Sequence, residues 1–437
     1  MNHALAHNRS THREDNKLYP EDRAIHDWFR FVLSFPPHLV QDYLQKFGVT
    51  PDQRVLDPFC GTGTVLVECK KQGIPGTGIE ANPMAHFASQ VKVDWSIDPD
   101  YLLEHAQRVA DIALTRLRAQ GIEDVTLFHV VQDDNDLRTL PDETLKLLLA
   151  HSISPLPLHK TLILLDCLNE LHDERCSNYE KLAMAKALVS SISNLQFGPE
   201  VGVGKAKHDA PVIASWLACV RAMANDVRKL QEKTETPTDV YLADARYPQQ
   251  VLAPHSIDAI ITSPPYPNEK DYTRTTRLES VLLGFINNKA ELQALKRGLL
   301  RSNTRGVYKG DDDDQWVKEH PEIQRIADEI EARRIELGKT SGFERLYARV
   351  TRLYFGGMAR HLSELREVLR PGAQLAYVVG DQASYLRIMI PTGQLLANIA
   401  QSLGYELVSI DLFRTRLATA TKQQLREEVV VLRWAGN

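Results

Sequence analysis

The stretch that decides the fold is Arg54-Val-Leu-Asp-Pro-Phe-Cys-Gly-Thr-Gly-Thr64, a short apolar run followed by a glycine-rich turn. The apolar run predicts a buried strand, and residues 65–72 after the turn show helical spacing of apolar side chains. Gly76-Thr-Gly-Ile-Glu80 predicts the next strand. Strand, glycine loop, helix and strand in this order predict a βαβ unit of a parallel sheet.

The glycine loop lies where such a sheet usually binds a ligand. Glycines let a ligand approach the backbone closely, and the start of the next helix offers unpaired N–H groups. The loop is neither G-x-G-x-x-G nor a Walker A loop, which weakens nicotinamide and nucleoside-triphosphate interpretations. Glu80 ends the second strand, where an acid can accept hydrogen bonds from both hydroxyls of a ribose. Alternatively, Gly61 and Gly63 only form a tight turn and Glu80 is a solvated strand end.

A second motif is Ile260-Ile-Thr-Ser-Pro-Pro-Tyr266. Two prolines cannot extend a central strand, so the chain must leave the sheet at Ser263. Because prolines lack N–H groups, the backbone here offers only acceptors. The Ser263 hydroxyl, a proline carbonyl and the Tyr266 ring suit a planar group that carries an exocyclic amine. The alternative is a proline-terminated strand with a packing tyrosine.

The remaining patterns divide the chain into a sheet and two additions. Further strands are predicted at 239–243, 257–261, 374–379, 406–412 and 428–434. Residues 96–235 are rich in Leu and Ala and short of strand signals, which predicts a helical insertion. The predicted division is a mobile tail at 1–22, a sheet domain at 23–95, 236–286 and 341–437, the insertion at 96–235, and a charged helical insertion at 287–340.

Composition narrows the class of protein. The 437 residues suggest two or three domains, and 43% hydrophobic with 25% charged residues are globular values. Five scattered cysteines without a Cys-x-x-Cys argue against a disulfide scaffold or a zinc knuckle. We find neither a signal peptide nor an apolar run long enough to cross a bilayer, and therefore expect a cytoplasmic protein. The only His-x₃-His pair, His3 and His7, has no third ligand nearby, so we assign no metal; Asp311–Asp314 is predicted to be a solvated loop.

The two motifs together resemble the S-adenosylmethionine-dependent DNA amino-methyltransferases, which act on N4 of cytosine or N6 of adenine. The resemblance is carried by Asp57-Pro-Phe-Cys-Gly-Thr-Gly-Thr64 and Thr262-Ser-Pro-Pro-Tyr266. The stretch from Ser263 to Arg274 resembles an extended form of the motif in a subset of bacterial enzymes. Ser34-Phe-Pro-Pro-His-Leu-Val40 is similar to the segment that covers the methionine end of the cofactor. The resemblance covers about 25–95 and 239–437.

This resemblance implies an α/β fold with a Rossmann-like seven-stranded methyltransferase sheet. It also implies S-adenosylmethionine as cofactor, duplex DNA as substrate and a target base flipped into the site. Ser in the first place of the motif favours N4 of cytosine, by family association. The implied catalytic residues are Ser263, Pro264, Pro265 and Tyr266. The implied cofactor residues are Phe35, Pro36, Asp57, Phe59, Gly61, Gly63, Thr64, Glu80 and Asp244.

The net charge of −5 gives no overall attraction to nucleic acid, but the charge is unevenly distributed. Residues 270–309 hold nine basic and three acidic side chains beside the proposed catalytic loop. Such a local cluster is what phosphate contact needs, although a solvated helical face is the alternative. The predicted DNA-binding residues are Arg274, Arg277, Arg297, Arg301 and Arg305.

Other functions stay open at this point. An RNA methyltransferase acting on a guanine amine can share the glycine loop, but usually carries Asp-Pro-Pro-Tyr. A non-catalytic cofactor-binding protein and a glutamine-modifying protein methyltransferase are further alternatives. Either insertion could read bases, and the first could instead dock a partner protein. A cognate restriction enzyme would define the biological setting.

Overall fold

A computed structural model describes residues 16–31, 34–125, 137–198, 200–230, 235–268, 270–417 and 424–436. Most of the predicted tail, including His3 and His7, lies outside the described residues.

Fifteen α-helices occur in the described residues. They are α1 (Arg23–His26), α2 (Pro37–Phe47), α3 (Thr64–Lys71), α4 (Pro83–Val93), α5 (Pro99–Arg118), α6 (Asp142–Leu145), α7 (Pro155–Glu170), α8 (Ser177–Ala187), α9 (Val212–Leu230), α10 (Tyr272–Thr275), α11 (Arg277–Leu282), α12 (Lys289–Gly298), α13 (Pro321–Glu336), α14 (Tyr347–Leu365) and α15 (Thr392–Ser402). The strands are β1 (Val55–Asp57), β2 (Gly76–Glu80), β3 (Leu195–Phe197), β4 (Val201–Val203), β5 (Thr238–Leu242), β6 (Ile257–Thr262), β7 (Leu369–Gly380), β8 (Glu406–Leu417) and β9 (Gln424–Arg433).

Seven strands form one sheet in the order β5-β2-β1-β6-β7-β9-β8. The neighbours from β5 to β7 pair in parallel, and β9 pairs antiparallel with both β7 and β8. This sheet confirms the predicted Rossmann-like fold of seven strands. The order reverses beside β1, which pairs with β2 on one side and β6 on the other, so a crevice opens beyond the carboxyl ends of these strands.

Local sequence explains how the central elements begin and end. All three residues of β1 are buried, as expected for a strand covered by helices on both faces. Prolines occupy the first turn of α2, α4 and α5, where their missing N–H costs no helical hydrogen bond. Asn82 caps α4 by accepting a hydrogen bond from the Met84 N–H.

The sheet is covered on both faces. Residues of α2 and α3 pack on one face, and residues of α14 and α15 pack on the other. Helices α5 to α9 lie outside the sheet and share a core with α3, α4 and the segment around Trp28. Their block is mostly helical, as its composition predicts, but it also contains the hairpin β3–β4, which sequence reasoning missed.

Candidate functional site

The glycine loop follows β1 and leads into α3 with two left-handed glycines. Gly61 has φ +51° and Gly63 has φ +82°, a region that favours glycine. A Cβ built on Gly63 would lie 2.5 Å from the Ser89 hydroxyl oxygen. The second glycine therefore also allows α3 and α4 to pack closely.

Glu80 ties the glycine loop to the end of β2. Its two carboxylate oxygens accept hydrogen bonds from the Gly61 N–H at 2.9 Å and the Asn82 N–H at 2.7 Å. Burial raises the pKa of this carboxyl, whereas the backbone donors lower it. Each oxygen keeps a further lone pair, so Glu80 can still accept hydrogen bonds from a ligand.

Asp57 joins β1 to β6 from the protein interior. One carboxylate oxygen accepts hydrogen bonds from the Thr262 hydroxyl at 2.6 Å and the Phe59 N–H at 3.1 Å. Burial raises the pKa of Asp57 to about 7. The side chain positions the two strand ends rather than facing a ligand.

The Ser-Pro-Pro-Tyr segment begins where β6 ends. The Ser263 hydroxyl donates a hydrogen bond to the Val378 carbonyl of β7 at 3.1 Å. Since that hydrogen is committed, the Ser263 oxygen can serve a ligand only as an acceptor. Tyr266 packs so closely on β7 that a Cβ on Gly380 would lie 3.0 Å from its ring. Burial raises the pKa of the Tyr266 phenol, which stays protonated at neutral pH.

The two motifs meet at one cavity of about 520 Å³. Ser263, Pro264, Pro265 and Tyr266 all line this central cavity. The predicted cofactor residues that line it are Phe35, Phe59, Gly61, Thr64, Glu80 and Asp244, whereas Pro36, Asp57 and Gly63 lie behind its wall. We call Phe59–Thr62 and Thr64, together with Glu80, the glycine-loop wall.

The opposite wall contains residues that sequence reasoning missed. The Asn268 N–H donates to the Tyr266 carbonyl at 2.8 Å and to the Ser302 carbonyl at 2.9 Å. The Tyr385 hydroxyl lies 3.2 Å from the Asn268 carbonyl and 3.0 Å from the Ser302 carbonyl. One buried tyrosine thus holds the segment after Ser-Pro-Pro-Tyr against the second insertion. We call Ser263–Tyr266, Asn268 and Leu299–Asn303, which line the cavity and are held by the buried Tyr385, the tyrosine-pinned wall.

Asp244 lines the cavity but is also part of a buried ion-pair chain. Its carboxylate lies 2.6 Å from the Arg246 guanidinium, which lies 2.5 Å from the carboxylate of Asp313. Asp313 also pairs with Arg360 at 2.8 Å and is only 2% exposed. The prediction of a solvated loop at Asp311–Asp314 is therefore wrong, because Asp313 is buried by pairing with two arginines.

The predicted DNA-binding arginines divide into committed and uncommitted side chains. Arg301 is 4% exposed, pairs with Asp311 at 2.9 Å and donates to backbone carbonyls, so its guanidinium is not available to a phosphate. Arg277 is half-buried and bonds to Thr273 and to the Leu147 carbonyl. Arg297 and Arg305 are exposed and lie over aromatic rings, and Arg274 is half-buried.

Two further expectations concern absent features. Among the described residues, no group of three or more His, Cys, Asp or Glu side chains could hold a metal ion. No helix in the described part of the chain is long and apolar enough to cross a membrane.

Comparisons with known proteins agree with this site. The profile of a DNA methylase family of the N6/N4 type matches residues 5–90. The Type II methyltransferase M.BsoBI of Geobacillus stearothermophilus is 26% identical over 94% of this chain and 85% of its own length. The Type II methyltransferase M.AvaI of Nostoc sp. is 23% identical over 93% of this chain and 84% of its own length. Among solved structures, TrmN of Thermus thermophilus matches at 11% identity with a TM-score of 0.31, over 91% of this chain and 48% of that one, which is too weak to inform fold or function.

The sheet order and the cavity at its carboxyl edge define a Rossmann-like methyltransferase fold. The family profile at residues 5–90 and the Type II relatives along most of the chain support the same class, that of DNA methyltransferases of the N6/N4 type.

Proposed function

We propose that the chain is a site-specific DNA methyltransferase that methylates the exocyclic amine of a flipped base, N4 of cytosine rather than N6 of adenine. One observation carries this proposal: the glycine loop, Glu80 and all four residues of Ser-Pro-Pro-Tyr line the same cavity. The Type II methyltransferases that resemble the chain along most of its length support DNA as the substrate. The serine in the first place of the motif supports cytosine.

The glycine-loop wall fits S-adenosylmethionine as the cofactor. Glu80 keeps acceptor lone pairs for the two ribose hydroxyls while its backbone contacts hold it in place. Phe35, Phe59, Gly61, Thr64 and Asp244 would hold the rest of the molecule. Bound there, S-adenosylmethionine would supply an electrophilic methyl group.

The residues of the other wall orient the amine. The Ser263 oxygen, whose own hydrogen is donated to Val378, accepts one amine hydrogen, and the Pro264 carbonyl accepts the other. Accepting both hydrogens raises electron density on the nitrogen and aims its lone pair. Tyr266 stacks on the base and holds its plane. No side chain forms a covalent bond to the substrate, so rate enhancement comes from positioning and from stabilising charge at nitrogen.

The test is to incubate the purified protein with duplex DNA and labelled S-adenosylmethionine, then to resolve the digested nucleosides by mass spectrometry. We expect N4-methylcytosine in a defined sequence context. N6-methyladenine alone would overturn the choice of base. Labelled tRNA with unlabelled duplex DNA would favour the RNA alternative, and cofactor binding without transfer to any nucleic acid would favour a non-catalytic protein.

The proposed function also implies a biological setting, a restriction-modification system. The relatives are named Type II methyltransferases, and we propose that this chain likewise works in the cytoplasm beside a cognate restriction enzyme. Sequencing methylated bases in a host that expresses the chain would give the recognition sequence. A restriction enzyme that cuts this sequence only when it is unmethylated would support the pairing, and methylation without sequence context would contradict it.

A further inference from the structure

A small side recess borders the central cavity. It has a volume of about 40 Å³, and Phe31, Lys270 and Tyr272 line both spaces. Arg274 and Arg305 also line the recess, as does Phe197 from strand β3 of the first insertion. Both insertions therefore face the same small space.

The cations of the recess differ from their neighbours in the basic stretch. Lys296 is paired with Asp271 at 2.8 Å, and Arg301 is paired with Asp311. By contrast, within the described residues Lys270, Arg274 and Arg305 form no salt bridge with a carboxylate, and the buried Nε of Arg274 has no hydrogen-bond partner. These three cations therefore lack the close carboxylate partners that Lys296 and Arg301 have in the described part of the chain.

The acids of the recess do not cancel this charge. Asp271 lines the recess, but its carboxylate is occupied by Lys296 and by the backbone and hydroxyl of Thr273. Among the described residues that line the recess, the exposed Glu200 is the other carboxylate, against three cations. The recess is therefore suited to an anion.

The volume of the recess and the side chains beside it indicate which kind of anion would fit. A volume of 40 Å³ holds about three water molecules, which is the scale of a phosphate group rather than of a base. Phe197 is half-buried beside the recess and offers an aromatic face on which a nucleobase can stack. The hairpin that carries Phe197 is held firmly, because the Asn194 side chain bonds to the His151 carbonyl, the Ser154 hydroxyl and the Lys207 N–H.

We propose that the side recess binds the DNA backbone phosphate next to the flipped nucleotide, through Lys270, Arg274 and Arg305, with the adjoining base stacked on Phe197. This inference rests on the proposed function. It assigns the β3–β4 hairpin of the first insertion to DNA contact, together with the second insertion. Glu200 then repels the bound phosphate and lowers the affinity of the recess for it.

The first experiment measures affinity for duplex DNA that contains the methylation site, across a range of salt concentrations. Arg274→Ala and Arg305→Ala should each weaken binding about tenfold and lower the slope of log K against log salt by about 1. Glu200→Gln should tighten binding about two- to threefold, the opposite direction. Arg325→Ala is the matched control, since it removes the same charge from α13, away from both spaces, and should leave the slope unchanged.

The second experiment locates the phosphate. DNA duplexes carrying one neutral methylphosphonate are tested at each position around the target. One position should weaken wild-type binding, and Arg274→Ala should abolish that particular loss because the two changes remove the same contact. Phe197→Ala should weaken binding about tenfold at an unchanged salt slope, and Phe197→Tyr should restore it.

The outcomes separate this inference from the proposed function. Failure of the wild-type protein to methylate duplex DNA would overturn the proposed function. Normal methylation together with additive losses at every methylphosphonate position would overturn only the recess proposal. Loss of S-adenosylmethionine affinity in Arg274→Ala would also overturn it, because the recess would then belong to the cofactor site.

Discussion

The two walls of the central cavity are built differently. In the glycine-loop wall, Gly61 and Glu80 follow adjacent parallel strands and are joined by a 2.9 Å hydrogen bond across 19 positions of sequence. In the tyrosine-pinned wall, Tyr385 reaches Asn268 across 117 positions and Ser302 across 83. The first wall is a local product of the βαβ unit, whereas the second exists only when three distant segments have assembled.

This difference implies that the walls can be damaged separately. A change in the glycine-loop wall should act on cofactor affinity and leave the substrate amine in place. A change in the tyrosine-pinned wall should act on turnover and leave cofactor affinity unaltered. Each prediction below tests that separation.

The largest effect is expected from Tyr266→Ala. The truncation removes the ring that we propose holds the plane of the base, and we expect kcat to fall about 100-fold. Cofactor affinity, measured by calorimetry, should change less than twofold. Tyr266→Phe keeps the ring and should retain activity within about threefold; an equal loss in both variants would contradict a stacking role.

Glu80→Ala should produce the reverse pattern. Loss of the carboxylate removes the two acceptors that we propose for the ribose hydroxyls and releases the Gly61 and Asn82 N–H groups. We expect the cofactor Kd to rise about 30-fold, with kcat at saturating cofactor nearly unchanged. Glu80→Gln keeps one acceptor oxygen, so its cofactor Kd should lie between those of the wild-type protein and Glu80→Ala. A large loss of kcat at unchanged Kd would contradict the separation of the walls.

The same contrast explains what the sequence could predict. The strands of the sheet were predictable to within a few residues, because most of them contain a short run rich in apolar or β-branched residues, as in Ile257–Thr262. The hairpin β3–β4 was not predicted from the sequence, because each strand has only three residues and neither is a continuous apolar run. The glycine-loop wall was predictable since its residues lie at the ends of recognisable strands.

The tyrosine-pinned wall could not be predicted for a physical reason. Nothing in the local sequence around Tyr385 indicates that its hydroxyl will meet Asn268 and Ser302. Charge patterns in the sequence are limited in the same way. A basic stretch does not reveal that Arg301 forms a salt bridge with Asp311, whereas the Nε of Arg274 has no hydrogen-bond partner. Pairing depends on chain segments brought together by the completed fold.

Lys92 supports the glycine-loop wall from behind and gives a pH-dependent test. Its ammonium donates to the Thr62 carbonyl at 2.7 Å, and burial lowers its pKa to about 7. The unfolded chain keeps this proton up to about pH 10.5, so stability should rise as pH increases from 7 towards 10.5. Between pH 7 and 8 the gain should be about 1 kcal/mol. Denaturant unfolding of Lys92→Met should lack this increment; an identical pH slope in both proteins would contradict a titrating Lys92.

The smallest effect is expected from Tyr385→Phe, which removes only the hydroxyl shared by the Asn268 and Ser302 carbonyls. A neutral hydrogen bond contributes about 1 kcal/mol, so kcat should fall about three- to fivefold at an unchanged cofactor Kd. Tyr405→Phe is the matched control, because it deletes a buried hydroxyl that donates to the Leu362 carbonyl at 2.7 Å away from the cavity. Both variants should lose similar stability in denaturant unfolding, but only Tyr385→Phe should lose turnover. An equal loss of kcat in the two variants would mean that Tyr385 acts through stability alone, and the wall would then be pinned by backbone contacts such as that between the Asn268 N–H and the Ser302 carbonyl.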